Sequence, residues 1–189
     1  REGDWDRPWT IHAIHRESTT HRLRWADGDG DGKAELIAAP IAGIGSTRPS
    51  FVQTPVRLLS FPVPDNPRQD DWPCTVIDDS LHLLHGMIVS RMEGKDAILT
   101  ASLEGLTMFL GNQGKWDRRS LASGIQKDGH PTGCSEVAVG HWRTGEKFLA
   151  TIDPWHGHQV SVYSPFSMES DREMQRTVID DFYKTGHAI

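Results

Sequence analysis

A chain of 189 residues, 37% hydrophobic and 24% charged, carries enough apolar material to bury a core, which excludes an intrinsically disordered segment. Its net charge of −6 comes from acids and bases mixed along the whole length, so there is no basic tract for nucleic acid. Its apolar runs fall short of the ~20 residues that span a bilayer, and two cysteines, Cys74 and Cys134, are too few for a disulfide framework.

In chain order the sequence reads as short β-rich runs between Gly, Pro and Asp turns, with no long amphipathic helix. The predicted strands are Leu36–Ala39, Val56–Phe61, Met87–Ser90, Ala97–Ala101, Leu106–Leu110, Val137–Val139, Phe148–Ile152 and Val160–Tyr163. Segments near Trp9, Trp72, Trp116 and Thr177 supply one further strand to each unit. Four short strands every ~40–60 residues predict an all-β fold, a β-propeller of four-stranded blades. The blades parse as 19–79, 80–124 and 125–181, with 1–18 and 182–189 belonging to neighbouring blades. A closed propeller needs ~4–8 blades. The start at Arg1 and the end at Ile189, where a further inner strand should begin, therefore point to a partial ring. Remaining blades or another chain would close it.

The first unit contains Asp27-Gly28-Asp29-Gly30-Asp31-Gly32-Lys33-Ala34-Glu35, running straight into Leu36-Ile37. Three Asp at alternate positions and a later carboxylate can wrap oxygen ligands around a hard cation, and the glycines permit the tight turns this requires. An EF-hand would place its last acid three residues later and flank the loop with helices. Instead the segment resembles the cation loop of FG-GAP/VCBS propeller repeats. That resemblance implies Ca²⁺, or Mg²⁺, held by Asp27, Asp29, Asp31 and Glu35 with the carbonyl of Lys33. A solvated acidic turn is the plainer alternative. The corresponding turns of the next two units carry Arg91-Met92-Glu93-Gly94-Lys95-Asp96 and His141-Trp142-Arg143-Thr144-Gly145 instead and should lack the ion.

Histidine recurs at one station of the repeat. His21, His85 and His187 lie 7, 8 and 8 residues beyond Ile14, Ile77 and Ile179, each at the start of an inner strand. In a meandering blade that position shares a rim with the loop between the second and third strands, the opposite rim from the acidic loop. Trp155-His156-Gly157-His158 is such a loop. The repeat therefore gathers imidazoles at one mouth, as Zn²⁺ or another divalent transition metal requires. A histidine in a turn is more often a solvated or hydrogen-bonding residue, and this chain has ten. The third unit departs from the pattern, with Gly133-Cys134-Ser135-Glu136 in place of the histidine.

Thr20-His21-Arg22-Leu23, Glu35–Ile41, Leu81-His82-Leu83-Leu84-His85 and Trp155-His156-Gly157-His158-Gln159-Val160-Ser161-Val162-Tyr163 occur in that order. Together they resemble the propeller domain of the aldos-2-ulose dehydratase/isomerase family. The resemblance implies a metal-dependent dehydratase, a carbon–oxygen lyase removing water from a keto-sugar of the aldos-2-ulose or 1,5-anhydrofructose type. Isomerase activity, which that family places in cupin domains, does not carry over. His21, His85 and His187, with His156, would hold the transition metal. A non-ligating His156 or His158 would serve as base, with Glu104 and Glu136 as weaker candidates, and Trp155 would stack on the sugar. The alternative is a non-catalytic FG-GAP/VCBS propeller that binds a glycan or protein and uses its ions structurally. No nucleophile elbow, phosphate loop or dinucleotide fingerprint is present.

Overall fold

The computed structural model describes residues 8–112, 115–128, 130–168 and 172–189. Fourteen strands and no helix are found among them. The first sheet comprises β1 (Thr20–Ala26), β2 (Glu35–Pro40), β3 (Leu58–Phe61) and β4 (Thr75–Asp78). The second comprises β5 (Gly86–Met92), β6 (Lys95–Ser102), β7 (Gly105–Asn112) and β8 (Lys115–Ser123). A short hairpin of β9 (Ile125–Lys127) and β10 (His130–Gly133) leads into a third sheet. That sheet comprises β11 (Ala138–His141), β12 (Lys147–Asp153), β13 (Gln159–Ser164) and β14 (Gln175–Asp180).

Each four-stranded sheet is an antiparallel meander in simple chain order, the connectivity of a propeller blade. Hairpin geometry fixes the registers. Met92 pairs with Lys95 around a Glu93-Gly94 turn in which both residues have positive φ, as a two-residue connection between right-twisted strands demands.

The sheets stack face to face, and period-two alternation decides what lies in each seam. Ile98 and Phe109 of the second sheet meet Ile37, Ala39 and Leu58 of the first, with Leu81, Leu84 and Met87 closing the same cluster. Ala97, Leu99, Ala101 and Met108 point the other way and pack with Leu149 and Tyr163 of the third sheet and with Val137 just before it. The middle sheet is therefore covered on both faces, which is why β6 reads as an almost continuous apolar run. All eight strands named from sequence overlap observed strands, two of which begin later than expected, β3 at Leu58 rather than Val56 and β11 at Ala138 rather than Val137.

The segment around Trp9 differs from its expectation. Among the described residues it forms no strand, and Trp9 and Ile11 are exposed. The chain is tied to the first sheet's end by two backbone bonds, Asp71 N–H to the Ala13 carbonyl and Trp72 N–H to that of Ile14. Two bonds across an irregular stretch do not make a ladder, and exposed apolar side chains gain nothing from extending it.

Candidate metal centre

The strand starts and strand-joining loops converge on one rim. His21 is the second residue of β1, His85 stands immediately before β5, His156 lies in the β12–β13 loop, and His187 follows β14. The ring of His85 lies 4.7 Å from those of His21 and His156 and 5.1 Å from that of His187. The rings of His156 and His187 are also 5.1 Å apart.

Ligand nitrogens of His85, His156 and His187 all lie within 4.8 Å of one another. Nε2 of His156 faces Nε2 of His85 at 3.0 Å. A zinc ion at ~2.0–2.1 Å from both would subtend an N–Zn–N angle of roughly 94°. No two imidazole nitrogens on one such ion can be more than ~4.2 Å apart, so a pair at the outer limit would close by about 0.6 Å. A donor set of three imidazoles would suit zinc or a similar divalent transition ion.

Local backbone holds these side chains in place. His156 has a φ of 51°, a left-handed conformation that costs a non-glycine residue on the order of 1 kcal/mol and is sustained only by its surroundings. Gly157 follows where a Cβ would come within 2.2 Å of the Asp153 carbonyl oxygen, so no other residue fits. The Gly157 carbonyl accepts the N–H of Gly186 at 2.7 Å, which ties the His187 segment to the His156 loop. At the loop's base Asp153 is fully buried and accepts from Thr151 Oγ1 (2.8 Å), Arg176 Nε (3.0 Å) and the Tyr163 hydroxyl (3.1 Å). Burial foremost, with Cys134 and Asp153 adding to it, keeps the Tyr163 hydroxyl protonated and donating. Burial likewise keeps Cys134 a thiol.

Trp155 lays its indole flat on His156, with ring centres 4.2 Å apart and planes 8° apart, and meets His85 edge-on at 6.1 Å. His158, two residues beyond His156, is exposed. Glu104 is engaged elsewhere on the second sheet. It accepts from His82 N–H (2.9 Å) and Ser102 Oγ (2.8 Å) and pairs with His82 Nδ1 at 2.8 Å. His21 sits beside His85 but outside the group of three close nitrogens. Glu136 packs against His85 rather than standing free, and Arg22 binds them both. The sequence reading gave Arg22 no role. Its one available signal was a charged side chain next to His21 on a strand bound for the propeller's interior.

Burial lowers the pKa of His21 below the ordinary ~6.5, assisted by His85 and Arg22. Burial also lowers that of His156, assisted by His85 and His187. Both are therefore neutral, with lone pairs available, at physiological pH. Below pH ~6.5 the unfolded chain takes up protons that these folded imidazoles refuse. Stability of the metal-free protein should then fall as pH drops from 6.5 through their lowered values, and not respond to them above it. A melting-temperature profile checks this, and His156→Gln should flatten the acid limb.

On the opposite side of the first sheet, carboxylate oxygens of Asp27, Asp29 and Asp31 lie within 4.8 Å of one another. Asp27 accepts the N–H groups of Gly30 (2.8 Å) and Gly32 (3.2 Å), and both glycines have positive φ. Asp31 accepts the N–H of Lys33 at 2.7 Å, and the ammonium of Lys33 is 4.0 Å from its carboxylate. Glu35 turns back to accept the N–H of Gly28 at 2.8 Å. Desolvation raises the pKa of Glu35, and Asp29, Asp27 and Asp31 raise it further against the lowering effect of the Gly28 bond. Four crowded acids of this kind are electrostatically suited to a hard divalent cation.

The family model described as the β-propeller domain of aldos-2-ulose dehydratase matches residues 1–165. An aldos-2-ulose dehydratase from Phanerodontia chrysosporium is 26% identical over 168 residues, covering 82% of this chain. The matched stretch is 18% of that relative, so the chain spans less than a fifth of its length.

Proposed function

The chain belongs to the aldos-2-ulose dehydratase β-propeller family, and from that premise we propose that it is a metal-dependent lyase removing water from a keto-sugar. The carrying observation is the group of three imidazoles, His85, His156 and His187, whose ligand nitrogens lie within 4.8 Å. We assign the ligand role to these three. A bound Zn²⁺ or similar ion would supply Lewis-acid polarisation of the substrate's ketone oxygen.

The remaining chemistry belongs to the chain's own side chains. His21 stands beside His85, outside the close group, and is kept neutral by its surroundings. A neutral imidazole accepts a proton near physiological pH, which makes His21 the general base. It takes the proton from the carbon next to the ketone, leaving the electron pair in the enolate. The imidazolium then gives that proton to the β-hydroxyl, and the enolate pair forms the carbon–carbon double bond as the carbon–oxygen bond breaks and water leaves. Exposed His158 is available as a second proton carrier at the mouth. Trp155 serves first to hold the ring of His156, because one face of its indole is occupied by that ring. Glu104, held by His82 and Ser102, supports the rim rather than the proton transfer.

The test is an ultraviolet assay for enone formation from keto-sugars by the zinc-loaded protein. His21→Ala should lower turnover by ~10²–10⁴-fold while metal content stays the same. Turnover unchanged in that variant would remove His21 from the base role. Sugar or glycan binding without any turnover in the loaded wild type would favour the non-catalytic propeller.

We further assign the acidic loop to a structural Ca²⁺ (or Mg²⁺) of the FG-GAP/VCBS kind, supported by the close carboxylates of Asp27, Asp29 and Asp31, with Glu35 outside that group but within their field. Calcium should raise the melting temperature of the wild type and not that of Asp29→Ala, with dehydration spared in both. A calcium response that survives Asp29→Ala would place the ion elsewhere.

A further inference from the structure

We propose that Glu136 and Arg22 are positioning residues for His85, forming a relay that joins three sheets and aims one ligand nitrogen at the metal. The proposal rests on the assignment of His85 as a ligand and extends it to two side chains that touch neither metal nor substrate.

The tautomer of His85 follows from its surroundings. Nδ1 lies 2.9 Å from the Ser135 carbonyl oxygen and 3.0 Å from Glu136 Oε1. Both neighbours are acceptors, so Nδ1 carries the proton, which it donates to the Ser135 carbonyl with the Glu136 carboxylate close beside it. Nε2 is then left with its lone pair, and Nε2 is the atom that faces His156. A carboxylate on the far nitrogen of a ligand imidazole fixes the ring's orientation and raises its basicity. His85 is 1% exposed and has little freedom to find another rotamer.

Arg22 completes the device. Its Nε donates to the backbone carbonyl of His85 at 3.0 Å, and its terminal nitrogen binds the same Glu136 oxygen that faces Nδ1. The guanidinium therefore holds both the backbone and the carboxylate that orient one imidazole. Arg22 lies on β1, His85 stands before β5 and Glu136 stands before β11. The ligand is thus aligned only when the first strands of all three sheets have docked. Whatever binds the docked arrangement stabilises it, so metal loading and blade packing are thermodynamically linked through this contact.

The test is cobalt(II) titration of the whole chain, read by calorimetry and by d–d absorption, in the wild type, in His85→Ala, Glu136→Ala, Glu136→Gln and Arg22→Ala, and in the Arg22→Ala, Glu136→Ala double variant. Glu136→Ala should weaken cobalt binding by roughly 10–100-fold and shift the absorption bands. Glu136→Gln, which keeps an acceptor without its charge, should fall between it and the wild type. Arg22→Ala should add little once Glu136 is already alanine, because both act on one ring. A folded Glu136→Ala protein with wild-type affinity and spectrum, alongside a His85→Ala protein that has lost binding, overturns the relay and leaves the metal centre standing. If Glu136→Ala does not fold, an unchanged affinity and spectrum in Glu136→Gln overturns it equally. A wild type that binds no cobalt overturns the metal assignment itself and the relay with it.

Discussion

Replacing His85 by alanine is expected to weaken zinc or cobalt binding by at least about a hundredfold, because one of only three protein donors is lost. The site cannot recruit a substitute cheaply. His85 is buried, and its Nε2 is the nitrogen that faces His156 at 3.0 Å. Part of the loss is structural, since the alanine leaves the Ser135 carbonyl without its donor and the Glu136 carboxylate without the imidazole beside it. His187→Ala separates the two effects. His187 is exposed, so its removal tests ligation with little cost to packing, and it should also weaken binding by at least about tenfold. His141→Ala, at the exposed end of β11, should leave the dissociation constant unchanged. Equal affinity in all three variants, measured by calorimetric titration, would remove the cluster from metal binding.

The second large effect lies at Asp153. This carboxylate is fully buried beneath the loop that carries His156 and is compensated by Arg176, Tyr163 and Thr151. Asp153→Ala removes the anion and leaves the Arg176 guanidinium half-buried against an empty space, with the Tyr163 hydroxyl deprived of its acceptor. Breaking one side of a buried ion pair costs about 3–5 kcal/mol, which for a chain of this size lowers the melting temperature by roughly 10 °C. Asp153→Asn, which keeps an acceptor for Tyr163, should cost less. Denaturant unfolding measures both, and a loss below ~1 kcal/mol for the alanine would show that the network does not hold the loop's base.

The fold was legible because its signals are local. Short apolar runs such as Ala97–Ala101 and alternating ones such as Val160–Tyr163, set off by turn residues, announce strands whatever surrounds them. The segment near Trp9 carried the same apolar cue but no paired edge, and apolar content without a ladder does not make a strand. The convergence of His21, His85, His156 and His187 was readable because a repeat puts equivalent positions on one rim. What the repeat could not separate was His21 from the other three: the β1–β2 register is irregular at His21, and His21 lies outside the close group. Glu136 and Arg22 lie 114 residues apart in sequence, and their contact exists only once the first and third sheets dock on the second. Glu104 illustrates the converse. It belongs to the second sheet's own strand-joining loop, yet the local pairing with His82 and Ser102 decides where its carboxylate goes.

Anomalous diffraction at the zinc absorption edge, from crystals of the zinc-loaded chain, tests the central claim most directly. The account predicts one peak at ~2.0–2.1 Å from Nε2 of His85, Nε2 of His156 and a ring nitrogen of His187. A stoichiometrically loaded crystal with no peak among those three imidazoles, or with zinc held only by the carboxylates of the acidic loop, would contradict it.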